Sequence, residues 1–307
     1  MDPIVGRGKY TYKVDENWQC PPEWLDVKAC AVSVDSEDRV YCFNRNEAHP
    51  IVIFDRDGKF VGSWGEGLFR FPHAIRIIRE NGRDVVWLCD EHHEQFYKFT
   101  TDGKLLQTIG EKGKRSDTGV PEDDLSSQAW RKVTHGGGPF NLPTDIAFAP
   151  SGEMFMTDGY GNARVHKFSA DAKYQFSWGE PGAAPGQFNL PHGIWVDRRG
   201  RLLVADREND RVQVFDQNGK LLEVWPTELI GPAFFYVDAE DTVYIPEHNG
   251  GFISILNLDG ERLARWGDGP VNRSCHGIWC DSRRDLYVVQ PGEWTPRVRR
   301  VVKYHRQ

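Results

Sequence analysis

Short alternating runs of apolar and polar residues, separated by turn residues, extend along most of this 307-residue chain. The stretch FNLPHGIWVDRRGRLLVADRENDRVQVFD at 188–216 is typical, because its apolar runs are interrupted by RRG and by DREND. Alternation with a period of two, with turns at short spacing, predicts β-strands joined by tight hairpins. Similar stretches occur at 27–65, 69–110, 140–179, 188–225, 230–267 and 272–307.

The repeat predicts the architecture. A unit of about forty residues with four antiparallel strands is typical of a propeller blade. Six units therefore predict a single all-β domain over 1–307, a six-bladed β-propeller. The sixth unit ends at Gln307, where its third strand should finish. The orphan strand YTYKVDENW at 10–18 is predicted to complete the last blade and close the ring, which would leave no long exposed edge.

One insert interrupts the repeats, at about 111–139 between the second and third units. It is charged and rich in glycine, and its segment PEDDLSSQAW predicts a short helix. We expect the insert to project from one rim, either as a lid or as an oligomer contact. An ordinary surface loop is equally consistent with its composition.

Composition fits this architecture and argues against several classes of partner. Eleven Trp, ten Tyr, seventeen Phe and thirty-one Gly favour many short strands and tight turns. A net charge of -7 without a basic face gives no reason to expect nucleic acid, and no apolar run approaches the ~18 residues of a membrane span. Because the first residues show no signal-peptide pattern, we expect a cytoplasmic protein with reduced cysteines.

The repeats place one residue of each unit at the start of the strand nearest the central axis. In blade order these residues are Cys30, His73, Thr144, His192, Ala233 and His276. Histidine thus occupies every second blade, and alternate blades of a six-membered ring are about 120° apart. Three imidazoles that point to one spot suit Zn²⁺ with an open fourth position. Two alternatives stay open: the histidines could be incidental turn residues, and Cys30 or Cys275 could add a thiolate ligand.

A second set of residues is expected on the same rim, where the second strand of a blade ends. Arg45 and Arg207 lie ten residues beyond the aligned acidic position of blades one and four, and Tyr160 lies one place later in blade three. Two guanidiniums suit a substrate with a carboxylate, and a tyrosine beside a metal and an arginine can act as a base. Alternatively, Arg207 forms an ion pair with a neighbouring acid of the DREND run. His248 could line the cavity, whereas His166 is expected to be solvated.

The repeat also carries a family resemblance. The pattern P-x-G-I-x-V-D…G-x-L-x-V-A-D…N-x-R-V-Q-V-F looks like an NHL repeat. The segments LPTDIAF…TDGYGNARVHKFS…SWGE…PGQFNLPHGIWVD…VADRENDRVQVF resemble the peptidyl-α-hydroxyglycine α-amidating lyases, most densely within 140–216. The resemblance implies a six-bladed propeller in which three histidines hold zinc. It also implies a reaction that splits a C-terminal α-hydroxyglycine into a peptide amide and glyoxylate.

The resemblance assigns roles to individual positions. The zinc ligands, the tyrosine base and the arginines of the family match, in that order, His73, His192 and His276, then Tyr160, then Arg45 and Arg207. Gly277 stands where the family has an aspartate that helps hold a structural calcium, which argues against calcium in this chain.

Three functional hypotheses follow from these residues. The leading one is a zinc-dependent lyase whose substrate is a small α-hydroxy-amide or related carboxylate. The second is a metal-dependent hydrolase of an ester, lactone or amide, which would use the same residues with water as the nucleophile. The third is a non-catalytic NHL propeller that binds a protein or ligand on its rim. The sequence predicts no oligomeric state.

Overall fold

The computed structural model of the chain describes residues 3–267, 274–292 and 295–307. Within these residues, the strands form six antiparallel sheets, one for each predicted repeat. The prediction of an all-β, six-bladed propeller is confirmed. The first two positions of the sixth predicted repeat, 272 and 273, lie outside the described residues.

The strands follow the chain from an N-terminal hairpin through the six blades. The hairpin consists of β1 (Ile4–Arg7) and β2 (Tyr10–Asp15). Blades one and two consist of β3 (Ala29–Val34), β4 (Val40–Asn44), β5 (Ile51–Phe54) and β6 (Phe60–Trp64), then β7 (Pro72–Glu80), β8 (Arg83–Asp90), β9 (Gln95–Thr100) and β10 (Leu105–Ile109). Blades three and four consist of β11 (Pro143–Phe148), β12 (Met154–Asp158), β13 (Arg164–Phe168) and β14 (Tyr174–Trp178), then β15 (Pro191–Val196), β16 (Leu202–Asp206), β17 (Arg211–Phe215) and β18 (Leu221–Val224). Blades five and six consist of β19 (Tyr236–Val237), β20 (Val243–Glu247), β21 (Phe252–Leu256) and β22 (Arg262–Gly267), then β23 (Ile278–Cys280), β24 (Leu286–Gly292) and β25 (Thr295–Arg306).

The inner strands of each blade consist mainly of apolar residues because they are buried. In blade four, every residue of β16 and four residues of β17 are buried, whereas no residue of β18 is. Apolar residues of blades three and four pack face to face, including Phe155, Val165, Ile194 and Val204. The core is therefore a ring of interfaces between blades, and each blade depends on its two neighbours.

The N-terminal strand closes the ring as predicted. Strand β2 pairs with β25, with Tyr12 opposite Arg306, so blade six is built from both ends of the chain. Tyr12 is fully buried, and its ring centroid is 5.3 Å from that of Trp266 on blade five. Strand β1 adds a fifth strand to this sheet, which the sequence pattern did not predict.

The insert does not form the predicted helix over 121–130. Its one described helical element is a short 3-10 helix at Ala129–Lys132. Local hydrogen bonds explain the difference, because the N–H of Ser126 donates to the side chain of Asp124, and such side chains compete with helical pairing. The insert nevertheless packs on the rim, with Ala129 fully buried.

Two further properties of the chain are visible in the structure. All six cysteines are free thiols. Among the described residues, no helix has the length and apolar character that a membrane crossing requires.

Candidate metal centre

Three histidines from alternate blades meet at the ring axis. His73 lies on β7, His192 on β15, and His276 two residues before β23. All three are at most 1% exposed, and one ring nitrogen of each lies within 4.8 Å of the other two. Their ring centroids are 4.8, 4.9 and 5.1 Å apart in pairs. The structure therefore brings the predicted trio together in a group that can hold a metal ion.

Each imidazole of the trio is oriented by a backbone carbonyl of the next blade. Nδ1 of His73 is 2.6 Å from the carbonyl oxygen of Thr144, and Nδ1 of His192 is 3.0 Å from that of Ala233. Nδ1 of His276 is 2.6 Å from the carbonyl oxygen of Cys30. Because a carbonyl oxygen can only accept, Nδ1 carries the proton and Nε2 is left as the ligand atom. A hydrogen-bond partner on the second ring nitrogen is a regular feature of metal-bound histidine.

The charge state of His192 also suits a metal ligand. Burial, reinforced by the positive charge of Arg207, lowers the pKa of His192 well below its ordinary range. The imidazole is therefore neutral near pH 7, which is the form that binds a metal. Three neutral nitrogen donors that converge on one spot fit a transition metal such as zinc.

An aromatic side chain covers one side of the trio. The ring centroid of Phe234 is 5.7, 4.9 and 4.9 Å from those of the three imidazoles. Beside it, Arg76 forms a buried ion pair with Asp145, with Nη2 and Oδ2 2.5 Å apart, and lies between Trp195 and Trp279. None of these side chains lines the cavity that contains His276, Tyr160 and Arg207, which therefore opens on a different side of the trio.

The loops that lead into the axial strands of blades two and four are fixed by the acid at the end of the second strand. Asp90 accepts hydrogen bonds from the N–H groups of Arg70 and Phe71, at 2.6 and 3.0 Å, and Asp206 accepts one from Asn189 at 2.8 Å. The backbone has φ values of 58°, 64° and 87° at three residues that each lie two positions before an axial one, namely Leu142, Leu190 and Ser274. Such left-handed backbone is unusual outside glycine and concentrates at functional sites.

Tyr160 lies beside the trio, as predicted. It follows β12 and is 7% exposed, and its hydroxyl oxygen is 3.4 Å from Nε2 of His192. The guanidinium of Arg207 donates to this hydroxyl at 2.9 Å. Leu142 and Leu190 pack against the tyrosine together with Ala129 of the insert, so the insert helps to hold the phenol in place.

Arg207 forms an ion pair with a neighbouring acid and also faces the site, so both predictions for this residue apply. It follows β16 and is 4% exposed, and its Nε donates to Glu208 at 2.9 Å, which is the predicted pair with a neighbouring acid. Its Nη1 donates to Tyr160, so the ion pair also aims the guanidinium at the site. Its Nη2 donates to no described residue and lines the cavity. A nearly buried arginine with a free donor is suited to a carboxylate.

Arg45 lies at the mouth of the cavity rather than against the trio. It is exposed, its guanidinium carbon is 3.7 Å from the ring centroid of Phe71, and its Nε donates to the carbonyl of Pro72 at 3.3 Å. His92 stacks on the same phenylalanine, with the centroids 4.1 Å apart. This stacking holds a positive charge beside the strand that carries His73.

The structure adds Glu91, which the fixed repeat spacing did not place at the site, and it also brings His248 to the cavity, as the sequence suggested. Glu91 directly follows β8, is 2% exposed, and has Oε2 3.9 Å from Nε2 of His73. Burial raises the pKa of the Glu91 carboxyl, although His92, Arg45 and Arg207 oppose the shift. His248 lines the cavity as well, with its ring 5.8 Å from that of His276.

The cavity above the trio is polar and has a volume of about 580 Å³. The predicted arginines and tyrosine line it together with His276 and residues of the insert, namely Leu125, Ser127, Gln128 and Arg131. The insert therefore forms part of the wall of this cavity. A larger groove of about 760 Å³, lined by Trp87 and Phe148 among others, contains none of the predicted site residues.

Neither cysteine near the axis belongs to the candidate metal group found among the described residues. The Cys30 thiol donates to the carbonyl of Phe43 at 3.1 Å, and the Cys275 thiol lies 3.9 Å from the side-chain oxygen of Gln290. The carbonyl of Cys30 accepts the hydrogen bond from His276. The candidate metal group within the described residues therefore consists of the three histidines.

The expectation that His166 is solvated is wrong. This histidine is fully buried, and its Nε2 is 3.0 Å from a carboxylate oxygen of Asp158. The reason is that the side chain packs against Phe140, with the ring centroids 5.4 Å apart, as well as against Asp158. The pair holds the acid that ends β12 and plays no part in the trio.

A family model for the NHL repeat matches residues 188–215, which form most of blade four. The chain contains an NHL repeat. It is 31% identical over 226 residues to NHL repeat-containing protein 3 of Homo sapiens, covering 71% of this chain and 60% of that protein. It is 32% identical over 213 residues to peptidyl-alpha-hydroxyglycine alpha-amidating lyase 1 of Drosophila melanogaster, covering 65% of this chain and 34% of that protein. The resemblance inferred from the sequence is confirmed, although the matches span 60% or less of these relatives.

Solved structures share the propeller at low identity. A gluconolactonase from Xanthomonas campestris superposes with a TM-score of 0.66 at 12% identity, over 99% of this chain and 95% of that one. A streptogramin B lyase gives a TM-score of 0.61 at 12% identity, over 96% and 88% of the two chains. At these identities the likeness shows the fold alone.

Proposed function

We propose that this chain is a zinc-dependent lyase that acts on a small α-hydroxy-amide bearing a carboxylate. The observation that carries the proposal is the buried trio of Nε2 atoms, which is oriented by carbonyls and open towards a cavity with Tyr160 and Arg207. Zinc suits the donor set, because three imidazoles and an open position are typical of catalytic zinc. Similarity to proteins named as amidating lyases supports the reaction class.

Zinc, when bound, would polarise a substrate oxygen. The other tasks fall to side chains of the chain. Arg207 would hold the carboxylate through Nη2, and Arg45 would add positive charge at the mouth. Tyr160, whose oxygen already faces both Arg207 and the trio, would take the hydroxyl proton. Phe234 and the axial ion pair would keep water from the far side of the trio.

The reaction needs no oxidant or reductant. The bond between the hydroxyl-bearing carbon and the amide nitrogen breaks, and the carbon–oxygen double bond forms as the hydroxyl proton leaves. The nitrogen gains a proton and departs as a primary amide. For an α-hydroxyglycine derivative the second product is glyoxylate.

Replacement of the tyrosine tests this mechanism. We expect Tyr160→Phe to retain about one zinc per chain and to release glyoxylate from N-benzoyl-α-hydroxyglycine about 10²- to 10⁴-fold more slowly, because the proton acceptor is gone. Metal content is measured by plasma mass spectrometry and glyoxylate by a coupled assay. Tyr174→Phe is the matched control, since this tyrosine is exposed on β14 of the same blade. Full activity of Tyr160→Phe would remove the tyrosine from the mechanism.

The same preparation separates the other hypotheses. Incorporation of ¹⁸O from labelled water into a product acid would identify hydrolysis instead of elimination. If the folded wild-type protein binds no metal after zinc is added, both metal-dependent hypotheses are excluded and the non-catalytic binding propeller is favoured. The cytoplasmic location and the absence of nucleic-acid and membrane partners remain predictions from the sequence.

A further inference from the structure

Glu91 is a buried carboxyl group at the metal side of the cavity that the mechanism above does not use. It begins a short 3-10 helix, Glu91–His93, which is capped by the side chain of Asp90. The cap accepts hydrogen bonds from the N–H groups of His92 and His93, so the turn after β8 is fixed locally. The carboxyl is thereby held beside His73 rather than in solvent.

The two oxygens of this carboxyl have different surroundings. Oε1 lies 3.5 Å from Nε2 of His92, whereas Oε2 lies 3.9 Å from Nε2 of His73. Oε2 is shielded from solvent and accepts no hydrogen bond from any residue that the structure describes. Buried acceptors are normally satisfied, because an unmade hydrogen bond costs the full desolvation of the group. The missing donor is therefore expected on a molecule that enters the cavity.

The charges around the cavity indicate which donor fits. Arg45, Arg131 and Arg207 line the cavity and suit an anionic group. Glu91 adds an acceptor beside His73, while Tyr160 lies beside His192. A ligand that satisfies both sets carries a carboxylate and, next to it, a hydroxyl.

We propose that Glu91 is a specificity-determining residue whose Oε2 accepts a hydrogen bond from the substrate hydroxyl, so that the site selects 2-hydroxy acids over acids without that hydroxyl. This inference rests on the proposed function, since it assumes a carboxylate-bearing ligand on the metal side of the cavity. It goes further because it gives the hydroxyl an acceptor in the bound state, Glu91, before Tyr160 takes the proton in the reaction.

The test uses two ligands that differ only in the hydroxyl and that have no bond for the lyase to break. These are 2-hydroxy-3-phenylpropionate and 3-phenylpropionate, titrated by calorimetry into zinc-loaded full-length protein. We expect the wild type to bind the hydroxy acid about tenfold or more tightly, the usual size of a hydrogen bond to a charged group. Glu91→Leu, which keeps the side chain's bulk, should reduce this preference to about twofold or less while 3-phenylpropionate affinity and zinc content stay unchanged.

Two further variants show whether a change in the preference for the hydroxy acid is due to the acceptor oxygen of Glu91. Glu91→Gln keeps an acceptor oxygen without the charge and should restore part of the preference. Glu94→Gln is the matched control, because Glu94 is a buried carboxyl of the same loop that accepts from the N–H of Leu142, away from the trio. It should bind both acids as the wild type does.

The outcomes that overturn the inference are distinct. If the preference for the hydroxy acid survives in Glu91→Leu, or is absent from the wild type, Glu91 is excluded as the hydroxyl partner. The lyase proposal would not be affected, because the glyoxylate assay tests it separately. Loss of zinc from Glu91→Leu would show that the carboxyl acts on the metal instead. Failure of the wild type to bind either acid would remove the carboxylate substrate and the inference with it.

Discussion

Blades two, four and six differ from blades one, three and five in what they place at the axis. At the axial position itself, the first set contributes a histidine side chain and the second contributes a backbone carbonyl. Each carbonyl lies one blade further along the ring and orients the preceding imidazole. At this one position, side-chain identity therefore matters in half of the blades, whereas in the other half any residue that keeps the backbone in place is adequate.

The comparison also shows that the trio depends on ring closure. The pair formed by His276 and Cys30 joins the last blade to the first, across the point where the two ends of the chain meet. A defect in closure should thus reach the site.

Removal of residues 1–18 should have the largest effect. The segment buries Tyr10, Tyr12, Val14 and Trp18, and each such side chain contributes about 1.5–3 kcal/mol. The sum is comparable to the about 5–15 kcal/mol by which folded proteins are stable. We expect the truncated chain to fail to fold and to bind no zinc, as judged by circular dichroism and metal analysis. A truncated protein that melted like the wild type would contradict closure by this strand.

Replacement of a single axial side chain should separate the two sets of blades. His192→Ala should lower zinc affinity by more than about 100-fold, since removal of even an outer-shell partner costs about 10- to 100-fold. Thr144→Ser is the control, because it keeps the backbone carbonyl that orients His73 and should change affinity by less than about twofold. Chelator competition measures both. Equal effects of the two substitutions would show that the comparison is wrong.

The buried histidine should also make the metal-free protein sensitive to acid. The pKa of His192 is lowered by burial, whereas in the unfolded chain it is about 6.5. Between these two values the unfolded state binds one more proton, so stability falls as pH falls, by about 1.4 kcal/mol per pH unit. Urea unfolding between pH 7 and 5 should show this slope, and His192→Asn should lose that contribution. An unchanged slope in the variant would assign the acid sensitivity to other groups.

Cys30→Ala should have the smallest effect on the site. The thiol donates to the carbonyl of Phe43, and the Cys30 carbonyl accepts from His276. We expect zinc affinity within about threefold of the wild type and a stability loss of about 1 kcal/mol for the lost buried sulfur contacts. A tenfold loss of affinity would show that the thiolate is a ligand.

The sequence predicted those site residues that occupy equivalent positions in the repeats. His192 and Arg207 are fifteen residues apart, and alignment of the repeats likewise located His73 and His276. Glu91 was not predicted, because the hairpin of β7 and β8 is longer than the others and places Glu91 eighteen residues after His73. The departure of one hairpin from the common length is a signal that could have led to this residue.

Other features could not be read from the repeat at all. Phe234 follows the axial Ala233 in a stretch of two phenylalanines, and nothing in the pattern distinguishes the ring that packs on the trio from its neighbour. The insert has no equivalent in the other units, so its composition left a lid and a loop equally open. Its position over Tyr160 depends on packing with Leu142 and Leu190, which are distant in sequence.

By itself, the sequence determined that this protein is a six-bladed all-β ring with three histidines in alternate blades, because a repeated strand pattern gives each unit the same local geometry. Only the tertiary structure decided how those histidines are used. It selected their ligand atoms through carbonyls of the next blade, aimed Arg207 through Glu208, and held Glu91 beside the trio. These choices depend on contacts between blades, which arise when the ring closes and are not encoded in the pattern of any one repeat.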